Sequence, residues 1–193
     1  MKEPSGALGH RVLVTGLAGS GKSTFSRALS AKTGLPVIHL DSHYWKPGWV
    51  KPSDDEWQEK QRTLLAGEAW IADGNYHETL ALRLERTQTV VILDTRWWIC
   101  AGRAFVRGLR KPGEMPEVRR RVRDEWRLVG NVWRNRRSEP ERERAIISQY
   151  GSHAALHVLG SRRAAKEFLR SLSGDEPGSS HHTRPEATPP DAP

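Results

Sequence analysis

The stretch Arg11-Val12-Leu13-Val14-Thr15-Gly16-Leu17-Ala18-Gly19-Ser20-Gly21-Lys22-Ser23-Thr24 decides the fold. Its first five residues are mostly β-branched and apolar, which predicts a buried strand. The strand runs directly into a glycine loop that matches G-x-x-x-x-G-K-[S/T] at Gly16, Gly21, Lys22 and Ser23. A helix follows from Ser23 to Thr33, with Gly34 as its stop signal and Pro36 beyond. Strand, loop and helix in that order are the context in which this pattern binds phosphate. Glycines let the backbone approach an anion without a Cβ in the way. The N–H groups from Gly16 through Ala18, Gly19, Ser20, Gly21, Lys22, Ser23 and Thr24 can then form a nest at the positive end of a helix. Lys22 supplies an ammonium for the β- and γ-phosphates, and Ser23 a hydroxyl for Mg²⁺. The expected cofactors are ATP and Mg²⁺.

Outward from this loop the chain alternates apolar runs with helical stretches. Val37-Ile38-His39-Leu40, Ala69-Trp70-Ile71-Ala72 and Thr89-Val90-Val91-Ile92-Leu93 read as strands two to four, and residues 154–159 as a weaker fifth. Ser53 to Gly67 reads as a helix opened by a capping box, Ser53 with Glu56 three residues on. A last helix is expected from Ser161 to Leu172. Strands separated by helices predict an α/β fold with a five-stranded parallel sheet between two helical layers, a three-layer sandwich.

Ligands in open α/β sheets bind at the C-terminal ends of the strands. Asp41, Asp73 and Asp94 each follow a strand, so all three are expected at that rim. Asp94 ends the most apolar run in the chain, in the manner of a Walker B strand. Asp94 and Asp73, with Ser23, are therefore the candidate metal ligands, and either carboxylate could instead be a turn-former. Asp41 is placed to take a proton from a hydroxyl acceptor, or only to orient an acceptor that needs no base. Tyr44, Trp45 and Trp49, dense aromatics beside Pro47 and Gly48, are expected to wall a substrate pocket or else to pack a rigid loop. His39 and His43 could be ligands, but hydrogen-bonded structural roles are the expectation.

Charge is uneven. Between Arg96 and Arg137 there are thirteen Lys or Arg against four Asp or Glu, so this stretch carries +9 of a total of +8 and the remainder sums to −1. Such an excess attracts anions, whether the phosphates of a nucleotide or nucleic acid. Arg103 and Arg107 lie four apart, on one helix face. Arginines here suit the charge that develops on a transferred phosphoryl group. The stretch from about 111 to 137 is expected to form a basic lid, with Val122, Trp126, Val129 and Trp133 as its apolar stripe. Residues 1–9 read as an arm, 10–173 as one domain with a substrate insert at about 41–68, and 174–193, which holds five prolines, as a disordered tail. No apolar run approaches the ~20 residues that span a bilayer. The start of the chain lacks the apolar section of a signal peptide. The single cysteine, Cys100, suits a reducing compartment and a packing role. A cytoplasmic protein, monomer or homodimer, is the expectation.

Four motifs together resemble a known group: the loop Gly16–Thr24, the run His39-Leu40-Asp41-Ser42-His43-Tyr44-Trp45-Lys46-Pro47-Gly48-Trp49, the run Trp70-Ile71-Ala72-Asp73-Gly74-Asn75-Tyr76, and Val90–Asp94 followed by Arg-rich helices. They are similar to the adenylate-kinase-like P-loop proteins known as DNA topology modulation proteins, over about Arg11 to Leu172. The resemblance implies a nucleotide-kinase fold. It implies Asp73, Asn75 and Tyr76 beside the acceptor, with Arg103 and Arg107 clamping the transferred phosphate. Adenylate kinases follow their Asp-Gly with Phe-Pro-Arg. Here Asn75-Tyr76-His77 stands instead, and the loss of that acceptor-side arginine counts against AMP. The expected function is a kinase acting on a small acceptor such as a nucleoside or nucleotide, with Lys22, Asp41, Arg103 and Arg107 as its catalytic groups. The alternative is an ATP-binding regulatory or nucleic-acid-binding protein that influences DNA topology. No DNA-reading module is evident in the sequence.

Overall fold

A computed structural model describes residues 8–46, 50–109, 130, 134 and 137–172; within helix 97–109, it does not describe the side chains of residues 104, 105 and 107–109. The arm at 1–7, the segment Pro47-Gly48-Trp49, the tail 174–193, most of the expected lid and its stripe at Val122, Trp126, Val129 and Trp133 lie outside the described residues.

Five parallel strands form one sheet: β1 (Arg11–Thr15), β2 (Val37–His39), β3 (Trp70–Asp73), β4 (Thr89–Leu93) and β5 (Ala155–Leu159). Their spatial order is β2-β3-β1-β4-β5. β1 is central because it pairs on both sides. Leu13 sits level with Ala72 on one side and Val90 on the other. β3 and β4 are buried along their whole lengths, as expected of strands covered on both faces.

The period-2 alternation of β1 divides the core. Val12 and Val14 face one layer, where they meet Phe25 and Leu29 of α1 (Lys22–Thr33) and the partly buried Phe168 and Leu169 of the last helix, α7 (Arg162–Ser171). Leu13 faces the other layer, with Leu80 and Leu84 of α4 (Leu80–Leu84) and Ile147 of α6 (Ser138–Tyr150). α1 ends as its sequence predicts: Gly34 takes the left-handed conformation (φ 73°) and its N–H returns to the carbonyl of Ser30. α3 (Asp54–Leu64) begins with the capping box of Ser53 and Glu56, both halves formed.

Three local expectations shift. Leu40 belongs not to β2 but to the first turn of a five-residue helix, α2 (Leu40–Tyr44). Its side chain is fully buried, so its apolar character serves packing rather than strand pairing. The strands expected at 69–72 and 154–159 begin one residue later, and β3 extends to Asp73. Among the described residues, α6 was not expected as a helix at all. The segment is rich in charge and carries Pro140, which the first turn of a helix tolerates.

Candidate active site

The turn after β1 builds the phosphate loop. Gly16, Gly19 and Gly21 all have positive φ (129°, 84° and 102°). At Gly19 the requirement is doubled, because a Cβ there would lie 2.4 Å from the carbonyl oxygen of Cys100. That oxygen belongs to α5 (Trp97–Leu109), so the glycine lets a second helix dock on the loop. Cys100 itself is fully buried, in keeping with the packing role expected of it. α1 starts at Lys22 with Gly21 at its N-cap, no side-chain cap and no acidic residue in its first turn. Its leading N–H groups are thus left for an anion.

Lys22 folds back over the loop. Its ammonium donates to the carbonyls of Gly16 (2.7 Å) and Leu17 (3.1 Å). Desolvation pulls its pKa down, and Asp41, Asp73 and Glu143 oppose that pull. Arg103, on α5, donates to the carbonyls of Gly19 (3.4 Å) and Ser20 (3.1 Å), so it lies over the loop. The side chain of Arg107 is outside the described residues.

Across from the loop a cavity of about 510 Å³ opens, lined by Ala18, Gly19, Gly21, Lys22, Ser23, Thr24, Arg27, Asp41, Asn75, Tyr76 and Arg103. It joins the loop to the ends of β2 and β3. The Tyr76 hydroxyl donates to one oxygen of Asp41 at 3.0 Å. Burial, and then the Asp41 charge, push the Tyr76 phenol above its ordinary range, so it stays a donor at neutral pH.

Other expected site residues are not in the cavity lining. Tyr44 does not line the cavity. Its ring lies tilted against Tyr76 (ring centroids 4.7 Å apart) and meets Trp57 edge-on (5.0 Å), and so braces Tyr76 from outside. Trp45 is about half exposed and meets Tyr44 edge-on. Asp73 is buried, and both its oxygens face Nδ1 of His39 at 2.9 and 3.0 Å. Asp94 is exposed and pairs with Arg144 of α6 at 2.6 Å. Among the described residues no cluster of three His, Cys, Asp or Glu forms a metal cage. The donor set fits Mg²⁺ held chiefly by phosphate oxygens and water, with the Ser23 hydroxyl as the protein ligand in the cavity.

Two buried charged residues near the site had no sequence signal. Arg83, on α4, is fully buried and donates to the carbonyls of Gly74 (3.0 Å), Tyr76 (2.5 Å) and Thr79 (3.4 Å). It fixes the backbone that presents Asn75 and Tyr76 to the cavity. Desolvation pushes its pKa down to about 10, which leaves it charged at pH 7. Glu143, on α6, is 5% exposed. Burial raises its pKa, against the pull of Thr15, Gly16, Lys22 and Arg83. Buried charge of this kind was the one available signal, and it appears only once the chain is folded.

A scan against protein-family models and a search of curated proteins returned no match. Solved structures do resemble this one. Shikimate kinase from Acinetobacter baumannii, in complex with shikimate, matches with a TM-score of 0.53 at 14% identity, over 85% of this chain and 90% of that one. Shikimate kinase from Aquifex aeolicus matches with a TM-score of 0.50 at 21% identity, over 85% and 96%. That from Bacteroides thetaiotaomicron also gives 0.50, at 17% identity over the same shares. At such identity the likeness is one of fold: this chain has the three-layer α/β architecture of P-loop kinases.

Proposed function

We propose that this protein is a Mg²⁺- and ATP-dependent phosphotransferase acting on a small acceptor. One observation carries the reading. A single cavity joins a complete phosphate loop, with Lys22 and Ser23, to Asp41, Asn75 and Tyr76 at the ends of neighbouring strands. A donor site alone would serve any nucleotide-binding protein. A second polar wall across the same crevice gives an acceptor somewhere to sit in line with the γ-phosphate.

The roles follow from placement. The loop N–H groups and Lys22 bind the β- and γ-phosphates, Ser23 holds the metal, and Arg103 stabilises charge on the transferred group. Mg²⁺, which the Ser23 hydroxyl would hold, would neutralise charge on the nucleotide phosphates. Asp94, held by Arg144, and Asp73, held by His39, would act on the metal only through water. The residues that carry the resemblance to the DNA topology modulation proteins, Asp41, Asp73, Asn75 and Tyr76, lie on or just behind this wall. The regulatory or nucleic-acid-binding alternative draws on the charge of residues 96–137.

The test is ATP turnover with a panel of small acceptors, wild type against Lys22→Ala. Losing one charged phosphate ligand should cut turnover by at least about 100-fold. Equal turnover in both proteins would refute the reading.

A further inference from the structure

The acceptor half of the cavity differs in chemistry from the donor half, and the difference selects a substrate class. The cationic side chains lie with the donor. Lys22 and Arg103 contact the loop. Arg27 follows Thr24 by three residues and Ser23 by four on α1, so it shares their face, and helix side chains lean back toward the N-terminus. The acceptor wall, among the described residues, presents a carboxylate, an amide and a phenol: Asp41, Asn75 and Tyr76.

Resting on the kinase reading, we infer that the acceptor is an alcohol that carries no phosphate, and that Asp41 is its general base. Tyr76 donates to Oδ1 of Asp41 and so fixes the carboxylate, leaving Oδ2 to accept from a substrate hydroxyl. The cluster of Tyr44, Trp57 and Tyr76, packed edge-to-face and tilted, holds the phenol in place. An alcohol has the proton that this oxygen accepts. A phosphomonoester dianion offers only acceptors, and it would set two negative charges beside Asp41, where among the described residues the wall carries no cation to offset them.

The step balances. The acceptor oxygen forms a bond to the γ-phosphorus as the bond from that phosphorus to the β,γ-bridging oxygen breaks. The bridging oxygen leaves on ADP with the electron pair, and the hydroxyl proton passes to Asp41. The Asn75 amide is positioned to bind a second hydroxyl, so compounds with more than one are favoured.

The experiment measures phosphoryl transfer from ATP by mass spectrometry. One panel holds uncharged hydroxyl compounds (nucleosides, hexoses and inositols), and the other holds nucleoside monophosphates and sugar phosphates. Binding of a fluorescent mant-ATP reports the donor site separately. Wild type should phosphorylate a member of the first panel. Asp41→Asn should lower that rate by about 10²–10⁴-fold, and Tyr76→Phe by about 10-fold, with mant-ATP affinity within twofold of wild type in both. Transfer to a phosphomonoester and to no hydroxyl compound overturns the inference and leaves the kinase reading standing. A wild-type rate in Asp41→Asn overturns the role of Asp41. No transfer to either panel sinks both readings.

Discussion

Glu143 and Lys22 are opposite charges sharing one buried neighbourhood at the base of the phosphate loop. Each is penalised by desolvation and relieved by the other. Bound phosphate would relieve Lys22 further, whereas Glu143 would face more negative charge. Its raised pKa has a calculable consequence. The unfolded chain releases this proton near ~4.3 and the folded one only at higher pH. Below ~4.3 both states hold the proton, and the group costs nothing. As pH rises from there to the folded pKa, the folded state binds more protons than the unfolded, so stability falls. Above the folded pKa the cost is constant. Glu143→Gln does not titrate. Melting temperatures of the two proteins between pH 4 and 8 should therefore diverge in favour of the variant as pH rises and then run parallel. A gap that narrows with rising pH would show that Lys22 and Arg83 over-compensate the burial.

Arg83 works at the scale of an element. α4 is one short helix, yet its buried guanidinium ties the carbonyls of residues 74, 76 and 79 into one rigid turn. Gly74 admits the same turn to close quarters: φ is 150°, and a Cβ would lie 2.9 Å from Leu40 of α2. The acceptor wall is therefore built by α2 and α4 pressing on one loop. Arg83→Met keeps much of the apolar stem but strands the carbonyls, at a cost of about 2–4 kcal/mol. The urea midpoint should fall with an unchanged m-value. In the surviving folded protein KM for the acceptor should rise while mant-ATP affinity holds, because the donor loop makes no contact with this guanidinium. Equal losses on both sides would mean that Arg83 serves general stability. None of this was legible in Leu80-Ala81-Leu82-Arg83-Leu84, where a lone arginine reads as solvated surface. The phosphate loop was legible because its chemistry is local: each glycine, Lys22 and Ser23 act within a dozen residues of chain. The caps at Gly34 and Ser53 were legible for the same reason. Arg83, Glu143 and the His39–Asp73 pair act across elements, and the partners of a buried charge are set by topology rather than by spacing. The helix at 138–150 was missed because its buried residues, Glu143 and Ile147, are two among many charged ones, which hides the apolar period.

At the scale of the molecule the strand order places β1 in the middle, so the loop that follows it sits at the centre of the sheet's C-terminal rim. Neighbouring rim loops bring Asp41 and Tyr76 from one side and Arg103 from the other. The alternation of strands and helices announced this architecture. The order 2-3-1-4-5 needed the structure, since nothing local says which strands pair. Because ligand binding at the rim engages loops from several strands at once, it should stabilise the whole fold. At 100 times its dissociation constant, ATP with Mg²⁺ adds about 2.7 kcal/mol by mass action, which for a domain of this size raises the melting temperature by about 5–10 °C. Lys22→Ala, measured against its own ligand-free melting temperature, should lose most of the rise. The charge of residues 96–137 gives the same measurement a second arm. If those arginines serve nucleotide phosphates, a short DNA duplex should give no comparable rise at 150 mM salt. A nucleic-acid binder would instead show a rise with DNA that collapses as salt increases, because each phosphate contact releases counterions. A large DNA-induced rise in Lys22→Ala, equal to that in wild type, would move the basic stretch away from the nucleotide site and onto a separate binding face.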